Sequence, residues 1–174
     1  RGWMEALRRN ADLDIYPNLK IRGIAVANTD LRALPTSRPA FAGLNRDGGA
    51  PFDRLQISAV AVNSPLYISH VSRDKAWMHV ETSTYFGWVP ARDIALADDA
   101  FIQSWQGERH AVVIRDRVPV EDEAGRFLFR APLGAQFPLL REEGEFLEVG
   151  TAVADANRKA VRKVSRIARG KAAE

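Results

Sequence analysis

Residues 51–96 read PFDRLQISAVAVNSPLYISHVSRDKAWMHVETSTYFGWVPARDIAL and contain strand-like runs in close succession. Four runs are recognised, at residues 55–62, 66–71, 77–82 and 87–89. Turn-forming residues separate them at a spacing of about ten residues, which is typical of an antiparallel barrel or sandwich rather than of alternating strands and helices. This segment predicts a small β-barrel whose last turn carries several aromatic side chains.

Strand-like runs separated by turn-forming residues continue in the second half of the chain, although no motif recurs at a fixed period. Further strand candidates lie at residues 111–115, 118–120, 127–130, 135–140 and 146–149. They predict a second small barrel. At residues 160–164 a closing strand is expected, with a frayed end after Gly170, while the recurrence of apolar residues at three-residue steps leaves a helix open as the alternative.

Two short helices are expected outside the strands. Apolar residues at helical spacing near the N-terminus predict a lead-in helix, and Asp98 or Asp99 is suited to cap a helix that ends at Gly107. The resulting domains are a lead-in at 1–22, a first barrel at 23–97, a linker helix at 98–107, a second barrel at 108–167 and a tail at 168–174.

Composition excludes several kinds of chemistry. The 174 residues include no cysteine, so disulfides, thiolate metal sites and a cysteine nucleophile are ruled out within this sequence. The three histidines are not spaced as metal ligands, and no phosphate-binding glycine motif occurs. We expect no metal, no cofactor and no membrane span. The chain begins at Arg1, which suggests a processed or truncated product without a signal peptide.

The net charge of +3 is unevenly distributed. Residues 155–174 hold seven basic and two acidic residues, whereas the remainder holds 18 basic and 20 acidic residues. A basic terminal segment on a near-neutral body permits a polyanionic partner, but such segments are usually just solvated. Nucleic acid is therefore not the expected partner.

Strand alternation predicts which aromatic side chains near the last turn point into the core and which point outward. Met78 and Val80 share one face of their strand and are expected in the core, whereas Trp77 lies on the opposite face with His79 and Glu81. By the same logic Val89 points inward and Trp88 outward. Tyr85 lies in the intervening turn, so Trp77, Tyr85 and Trp88 are predicted to line one groove; the alternative is that these rings seal the barrel rim. Gly87 indicates a bulge, a positive φ or a close backbone approach.

Several motifs resemble a known family in their order and spacing. The segments 28–36 (NTDLRALPT), 51–56 (PFDRLQ), 65–70 (PLYISH) and 87–90 (GWVP) are similar to the first bacterial SH3 (SH3b1) domain of NlpC/P60 peptidoglycan peptidases. Residues 112–149 resemble the second such domain (SH3b2). The resemblance covers about residues 23–167. It implies a mainly β fold of two small SH3-like β-barrels joined by a short helix, with a short N-terminal helical lead-in.

The resemblance also implies a role and a location. In this family a papain-like domain with a cysteine nucleophile cuts γ-D-glutamyl-diamino acid bonds of the cell-wall stem peptide, so this cysteine-free sequence is expected to lack catalysis and to accompany such a domain. Tyr85 matches the family tyrosine that lines the pocket for the stem peptide's N-terminus. A periplasmic or extracellular, cell-wall-associated location follows.

The candidate substrate-binding residues are Tyr85, Trp88, Trp77, Arg32, Asp53 and Arg54. The last three belong to the family-like motifs, and an Asp-Arg pair beside a long loop is alternatively structural. The leading hypothesis is a non-catalytic module that binds and positions a peptidoglycan stem peptide for an NlpC/P60 catalytic domain. The alternative is an SH3-like peptide or protein interaction module unrelated to peptidoglycan.

Overall fold

The structure, a computed structural model, describes residues 2–41, 52–106 and 109–173. Within these ranges the α-helices are α1 (Gly2–Ala11) and α2 (Asp99–Trp105), and short 3₁₀ helices occur at Leu13–Ile15, Ala91–Asp93 and Arg169–Lys171. The strands of the first sheet are β1 (Ile21–Ala25), β2 (Thr29–Arg32), β3 (Gln56–Val60), β4 (Pro65–Val71), β5 (Trp77–Glu81), β6 (Phe86–Pro90) and β7 (Ile94–Leu96). Those of the second are β8 (His110–Val113), β9 (Val118–Glu121), β10 (Phe127–Ala131), β11 (Gln136–Glu143), β12 (Phe146–Ala154), β13 (Ala160–Ala168) and β14 (Ala172–Ala173). The mainly β fold is confirmed.

The two sheets have the same topology. The first has the order β3-β2-β6-β5-β4-β1-β7 and the second the order β10-β9-β13-β12-β11-β8-β14, and the strand pairs within both are antiparallel. Each strand of the first sheet therefore has its counterpart seven strands later. The repetition is architectural, as the sequence predicted.

Strand alternation correctly predicts the core of the first sheet. Met78, Val80 and Val89 are buried there. Gly87 is a place of close backbone approach, because a Cβ built on it would lie 2.7 Å from the Arg32 carbonyl oxygen and 3.1 Å from Leu31 Cγ. No side chain fits between β6 and β2 at that point.

Helix α2 connects the sheets and fills the space between them. The Asp98 carboxylate accepts a hydrogen bond of 2.9 Å from the Phe101 amide and so caps the helix. Phe101 and Trp105 stack with ring centroids 5.0 Å apart. Their rings are buried in one apolar cluster with residues from both sheets, including Ile24 and Ala152. Apolar packing therefore joins the two sheets through the helix.

Two asparagine side chains also tie the sheets together. Asn63 Nδ2 donates to the Gly150 carbonyl at 3.0 Å, and Asn63 Oδ1 accepts from the Ala152 amide at 2.9 Å. Asn28 Nδ2 donates to the Arg130 carbonyl at 2.8 Å. In the same region Arg158 donates to the carbonyls of Ala91 and Ile94 in the first sheet.

The C-terminal segment is part of the second sheet. The predicted closing strand is confirmed and extends to Ala168, but the predicted frayed end is wrong because Ala172 and Ala173 pair with β8. Several of its basic side chains form ion pairs: Arg166 with Glu148 and Arg169 with Glu142. The local excess of positive charge therefore belongs to a folded, partly neutralised strand. Among the described residues no helix combines the length and the apolar character required to cross a membrane.

Candidate functional site at the end of the first sheet

A cleft of about 660 Å³ lies between one end of the first sheet, helix α2 and the beginning of β11. Its walls come from the β3–β4 connection, from the turn between β5 and β6, from α2 and from residues 134–136. Volumes of this size are usual for small-molecule sites. The cleft therefore offers room for a ligand where the two sheets meet.

Tyr85 lies at the mouth of this cleft. Its side chain is 53% exposed. The turn that carries it is held by Thr82, whose amide donates to the Tyr85 carbonyl at 2.8 Å and whose hydroxyl oxygen accepts from the Tyr85 amide at 3.0 Å. The backbone of Tyr85 is thus fixed while its ring stays available to a ligand.

The structure does not bring the predicted aromatic groove together. Trp77 begins β5 and pairs with Pro90 at the open end of the β5–β6 hairpin. Tyr85 lies in the turn at the opposite end of that hairpin. At about 3.3 Å per residue the length of β5 alone separates the two positions by roughly 13 Å. Trp77 is half-buried.

The prediction that Trp88 points into solvent is wrong, because its side chain is only 3% exposed. Its indole packs edge-on against His79 at 5.3 Å and His70 at 5.9 Å between ring centroids, and Tyr16 contacts both imidazoles. A small barrel was expected to bury only one face of this strand. Here a segment that precedes the sheet covers the second face.

We call residues 10–18 the N-terminal strap. His70 Nδ1 accepts a hydrogen bond from the Asn18 amide at 3.3 Å, so Nε2 carries the proton and donates to the Ala11 carbonyl at 2.9 Å. An ion pair between Asp12 and Arg73 also holds the strap. These contacts anchor the strap across the sheet face that contains Trp88.

A serine and a histidine lie close together beneath the same strap. Ser69 Oγ is 3.0 Å from His79 Nδ1, and burial lowers the pKa of the His79 imidazole. Ser69 is only 2% exposed. A buried hydroxyl cannot reach a substrate, so this pair stabilises the sheet rather than forming a nucleophilic site. Among the described residues no group of three or more acidic or histidine side chains could hold a metal ion.

Arg32 and Asp53 hold the long loop that follows β2. Their ion pair measures 2.8 Å, and the Arg32 side chain is almost fully buried. Asp53 Oδ1 also accepts from the amides of Ala40 and Leu55. The pKa of Asp53 lies below its ordinary value despite partial desolvation. The hydrogen bond from the Ala40 amide contributes most to this lowering, and the Leu55 amide and Arg32 contribute the rest.

Arg54, the neighbour of Asp53, makes fewer contacts with this loop. The Arg54 side chain is exposed and its amide donates to the Ala40 carbonyl at 2.9 Å. Part of the loop itself, residues 42–51, lies outside the described residues. The described contacts of Arg32, Asp53 and Arg54 are those of a loop anchor.

Sequence reasoning missed the part of the site contributed by α2 and the second sheet. Ile102, Trp105 and Gln136 line the cleft with Tyr85. The linker helix at 98–107 was predicted, but nothing in the sequence indicated which surface it packs against.

Comparison with known proteins identifies the domains. Residues 39–90 match the family described as SH3 domain (SH3b1 type), and residues 98–143 match the SH3 domain of SH3b2 type. No curated protein sequence gives a significant match.

Solved structures carry the same fold. A chain described as a novel NlpC/P60 endopeptidase from Photobacterium damselae subsp. piscicida superposes with a TM-score of 0.80 and 27% identity, over 93% of this chain and 36% of that one. An NlpC/P60 family protein from Bacillus cereus ATCC 10987 superposes with a TM-score of 0.58 and 12% identity, over 87% of this chain and 55% of that one, and shows the fold alone. The present chain thus spans about a third to about half of those chains. It carries two tandem bacterial SH3 domains, an SH3b1-type domain followed by an SH3b2-type domain, in an arrangement that resembles part of an NlpC/P60 endopeptidase.

Proposed function

We propose that this chain is a cell-wall-binding module that positions a peptidoglycan stem peptide for an NlpC/P60 catalytic domain. The observation that carries the proposal is the exposed ring of Tyr85, held on a fixed turn at the mouth of a cleft. A tyrosine offers an apolar face and a hydroxyl, and it loses little conformational freedom on binding. It is therefore well suited to contact a short peptide.

The predicted site residues have different roles under this proposal. Tyr85 contacts the peptide, while Arg32, Asp53 and Arg54 stabilise the loop next to β2. Trp88 acts from beneath the surface by supporting β6, and Trp77 lies at the other end of β5 from Tyr85, where it would meet a different part of the ligand.

The proposal includes a catalytic partner and a location. The sequence has no cysteine, so the thiol chemistry of a papain-like peptidase has to come from another domain. A catalytic domain in cis, at the cell wall outside the cytoplasm, fits the similarity to the Photobacterium endopeptidase. The exposed ring of Phe86, next to Tyr85, offers such a domain an apolar contact.

The test is titration with the tripeptide L-Ala-γ-D-Glu-diaminopimelate, followed by tryptophan fluorescence, alone and with a supplied NlpC/P60 catalytic domain. Trp105 lines the same cleft as Tyr85 and serves as an internal reporter. We expect a saturable signal that Tyr85→Ala weakens about tenfold, which corresponds to the loss of one aromatic anchor.

The matched control is Tyr67→Ala. Tyr67 is 38% exposed on β4 and does not line the cleft, so its replacement should leave the affinity within about twofold. If no tripeptide response occurs under either condition, stem-peptide recognition is wrong. Equal losses of affinity in Tyr85→Ala and Tyr67→Ala would show that Tyr85 has no specific role in binding.

A further inference from the structure

Strand β10 is an outer strand of the second sheet and has one open edge. Within the described ranges its neighbour in the sheet is β9. The other outer strands differ: β14 has two residues, β7 bridges to Lys159 between β12 and β13, and β3 borders the cleft. An open edge presents unpaired backbone N–H and C=O groups that can pair with another chain. β10 is therefore the strand best placed to accept a partner strand.

The hydrogen bonds around β10 show which backbone groups face its open edge. The Arg126 carbonyl accepts a hydrogen bond of 2.9 Å from the Asp122 amide inside the β9–β10 hairpin. Because successive residues of a strand direct their N–H and C=O groups to opposite sides, those of Phe127 point to the open edge. The Arg130 carbonyl also points outward, since it accepts from Asn28 Nδ2 of the first domain at 2.8 Å. Phe127 and Arg130 therefore each offer an N–H group to a partner strand.

The side chains beside these groups form an exposed apolar surface. Phe127 is 59% exposed and Leu128 is 45% exposed. Proline and lysine, which commonly protect an open edge, are both missing from the segment Phe127–Ala131. The Arg130 guanidinium lies over the Phe127 ring, 5.8 Å from the ring centroid. The edge therefore combines hydrogen-bonding backbone with apolar surface that a partner strand would bury.

A groove of about 480 Å³ begins where β10 ends. We call it the β10 groove, and its described lining consists of Asn28, residues 59–61, Asp116, Arg117, Arg130, Pro132 and Leu133. Its charged side chains are thus two arginines and one aspartate. Both arginines are exposed, and Arg130 Nη1 donates to the Arg117 carbonyl at 3.2 Å. The groove therefore presents an excess of positive charge at the end of β10.

The beginning of β10 carries the opposite charge. The β9–β10 connection contains Glu121, Asp122 and Glu123 beside Arg126. Asp122 forms an ion pair of 2.7 Å with Arg126, while Glu123 is exposed at the tip of the turn. β10 thus runs from an acidic turn to a basic groove. An antiparallel copy of the same strand aligns the acidic turn of each chain with the basic groove of the other.

We propose that the open edge of β10 is a dimer interface, at which two copies of this chain join their second sheets around a twofold axis. Phe127 of one copy lies opposite Arg130 of the second copy, so that the outward backbone groups of both residues pair, and the symmetry repeats this pairing. The bulge at Leu128 interrupts the pairing of β10 with β9 and leaves these outward groups in place. Phe127 and Leu128 lose their exposure in the dimer.

This register also determines where the turn lies. Residues 122–125 of each copy come opposite residues 132–135 of the other, which include part of the lining of the β10 groove. Glu123 then meets the arginines of that groove. The charges of the interface are therefore complementary between identical chains, as a twofold interface requires.

The dimer has a consequence for binding to a polymer. It carries two Tyr85 clefts, and the second binding event on one polymer becomes intramolecular, which raises the overall affinity. This consequence rests on the proposed cell-wall function, whereas the interface does not depend on it.

The test is sedimentation-velocity centrifugation of the purified chain over a series of concentrations. One strand pair and two turns form an interface at the small end of the specific range, so we expect a dissociation constant of about 10–100 μM. A chain that remains monomeric at about 500 μM, well above that constant, refutes the dimer.

Charge reversal tests the register of the two strands. Glu123→Arg and Arg117→Glu should each weaken the dimer about tenfold, and the double variant should return to within about threefold of the native dissociation constant. The matched control is Glu145→Arg, because Glu145 is exposed in the turn between β11 and β12. It should leave the dissociation constant within about twofold. Phe127→Lys should abolish the dimer, since a charged side chain on an edge opposes strand pairing.

The outcomes separate the interface from the cell-wall function. A dimer that Phe127→Lys leaves intact uses another surface and refutes the proposal, and a double variant as weak as the single variants refutes the placement of Glu123 in the β10 groove. A monomeric chain that binds the stem tripeptide loses this interface alone. A dimer that binds no tripeptide keeps the interface and loses stem-peptide recognition.

Discussion

Asn63 and Gly150 lie 87 residues apart in the sequence and are joined by a hydrogen bond of 3.0 Å from the Asn63 amide nitrogen to the Gly150 carbonyl. The same side chain accepts from the Ala152 amide at 2.9 Å and is only 4% exposed. One buried amide therefore satisfies two backbone groups of β12. It links the end of the first sheet, where the cleft lies, to the second sheet.

We expect Asn63→Gly to lower the free energy of unfolding by about 1–3 kcal/mol, because it leaves the Gly150 carbonyl and the Ala152 amide without their buried partner. Glycine is the appropriate replacement because Asn63 has φ of 70°, which other side chains adopt at a cost. Urea denaturation monitored by fluorescence measures the effect. Lys75→Gly is the control, since Lys75 has φ of 59° and an exposed side chain. Equal stabilities of the two variants would contradict the importance of the tie.

Replacement of Gly87 by alanine should destabilise the first domain by about 1–3 kcal/mol, the usual cost of overpacking. The added methyl group would lie 2.7 Å from the Arg32 carbonyl oxygen, which is backbone and cannot move aside easily. Thermal denaturation of Gly87→Ala beside Gly170→Ala tests this expectation. Nothing lies within 4 Å of a Cβ at Gly170, so the Gly170→Ala control should unfold at the same temperature as the native sequence. If Gly87→Ala also unfolds at that temperature, the close approach of β6 and β2 is refuted.

Asp53 makes stability depend on pH in a predictable direction. Its pKa is lowered in the folded chain, first by the Ala40 amide, so its contribution to stability is present above its unfolded pKa of about 3.9 and is lost as the pH falls through the folded value. We therefore expect Asp53→Asn to be less stable than the native sequence at pH 7 and to approach it at pH 3. Denaturant titrations at the two pH values measure the difference. A destabilisation that stays constant with pH would contradict the role of the carboxylate charge.

His70→Phe should loosen the N-terminal strap. The substitution preserves an aromatic ring but removes the partners of the Asn18 amide and the Ala11 carbonyl, which costs about 1–3 kcal/mol in a buried site. Hydrogen exchange at the Asn18 amide should accelerate, and Trp88 should gain solvent exposure with a red shift of its emission. His110→Phe, on β8 and away from the strap, is the control. Unchanged exchange at Asn18 in His70→Phe would show that other contacts hold the strap.

The sequence is sufficient to predict what depends on local pattern. Alternation correctly assigned Met78, Val80 and Val89 to the core, and turn residues separated strands that the structure contains. The acidic cap of α2 and the closing strand beginning at Ala160 follow from similarly local signals. In each case the determining contacts lie within one strand, one turn or one helix end.

Features that depend on distant parts of the chain could not be predicted in this way. Trp88 obeys strand alternation but is buried, because a strap more than 50 residues earlier covers that face through His70. The position of α2 beside the turn of Tyr85 is likewise set by packing between the two sheets. Neither contact leaves a periodic signal in the sequence.

The most direct test of a cell-wall role is co-sedimentation of the purified chain with intact peptidoglycan sacculi. We predict that the native chain sediments with the sacculi in a saturable manner, that Tyr85→Ala reduces the bound fraction severalfold, and that Tyr67→Ala does not. A native chain that stays in the supernatant, or a Tyr85→Ala variant that sediments as well as the native chain, would contradict the account.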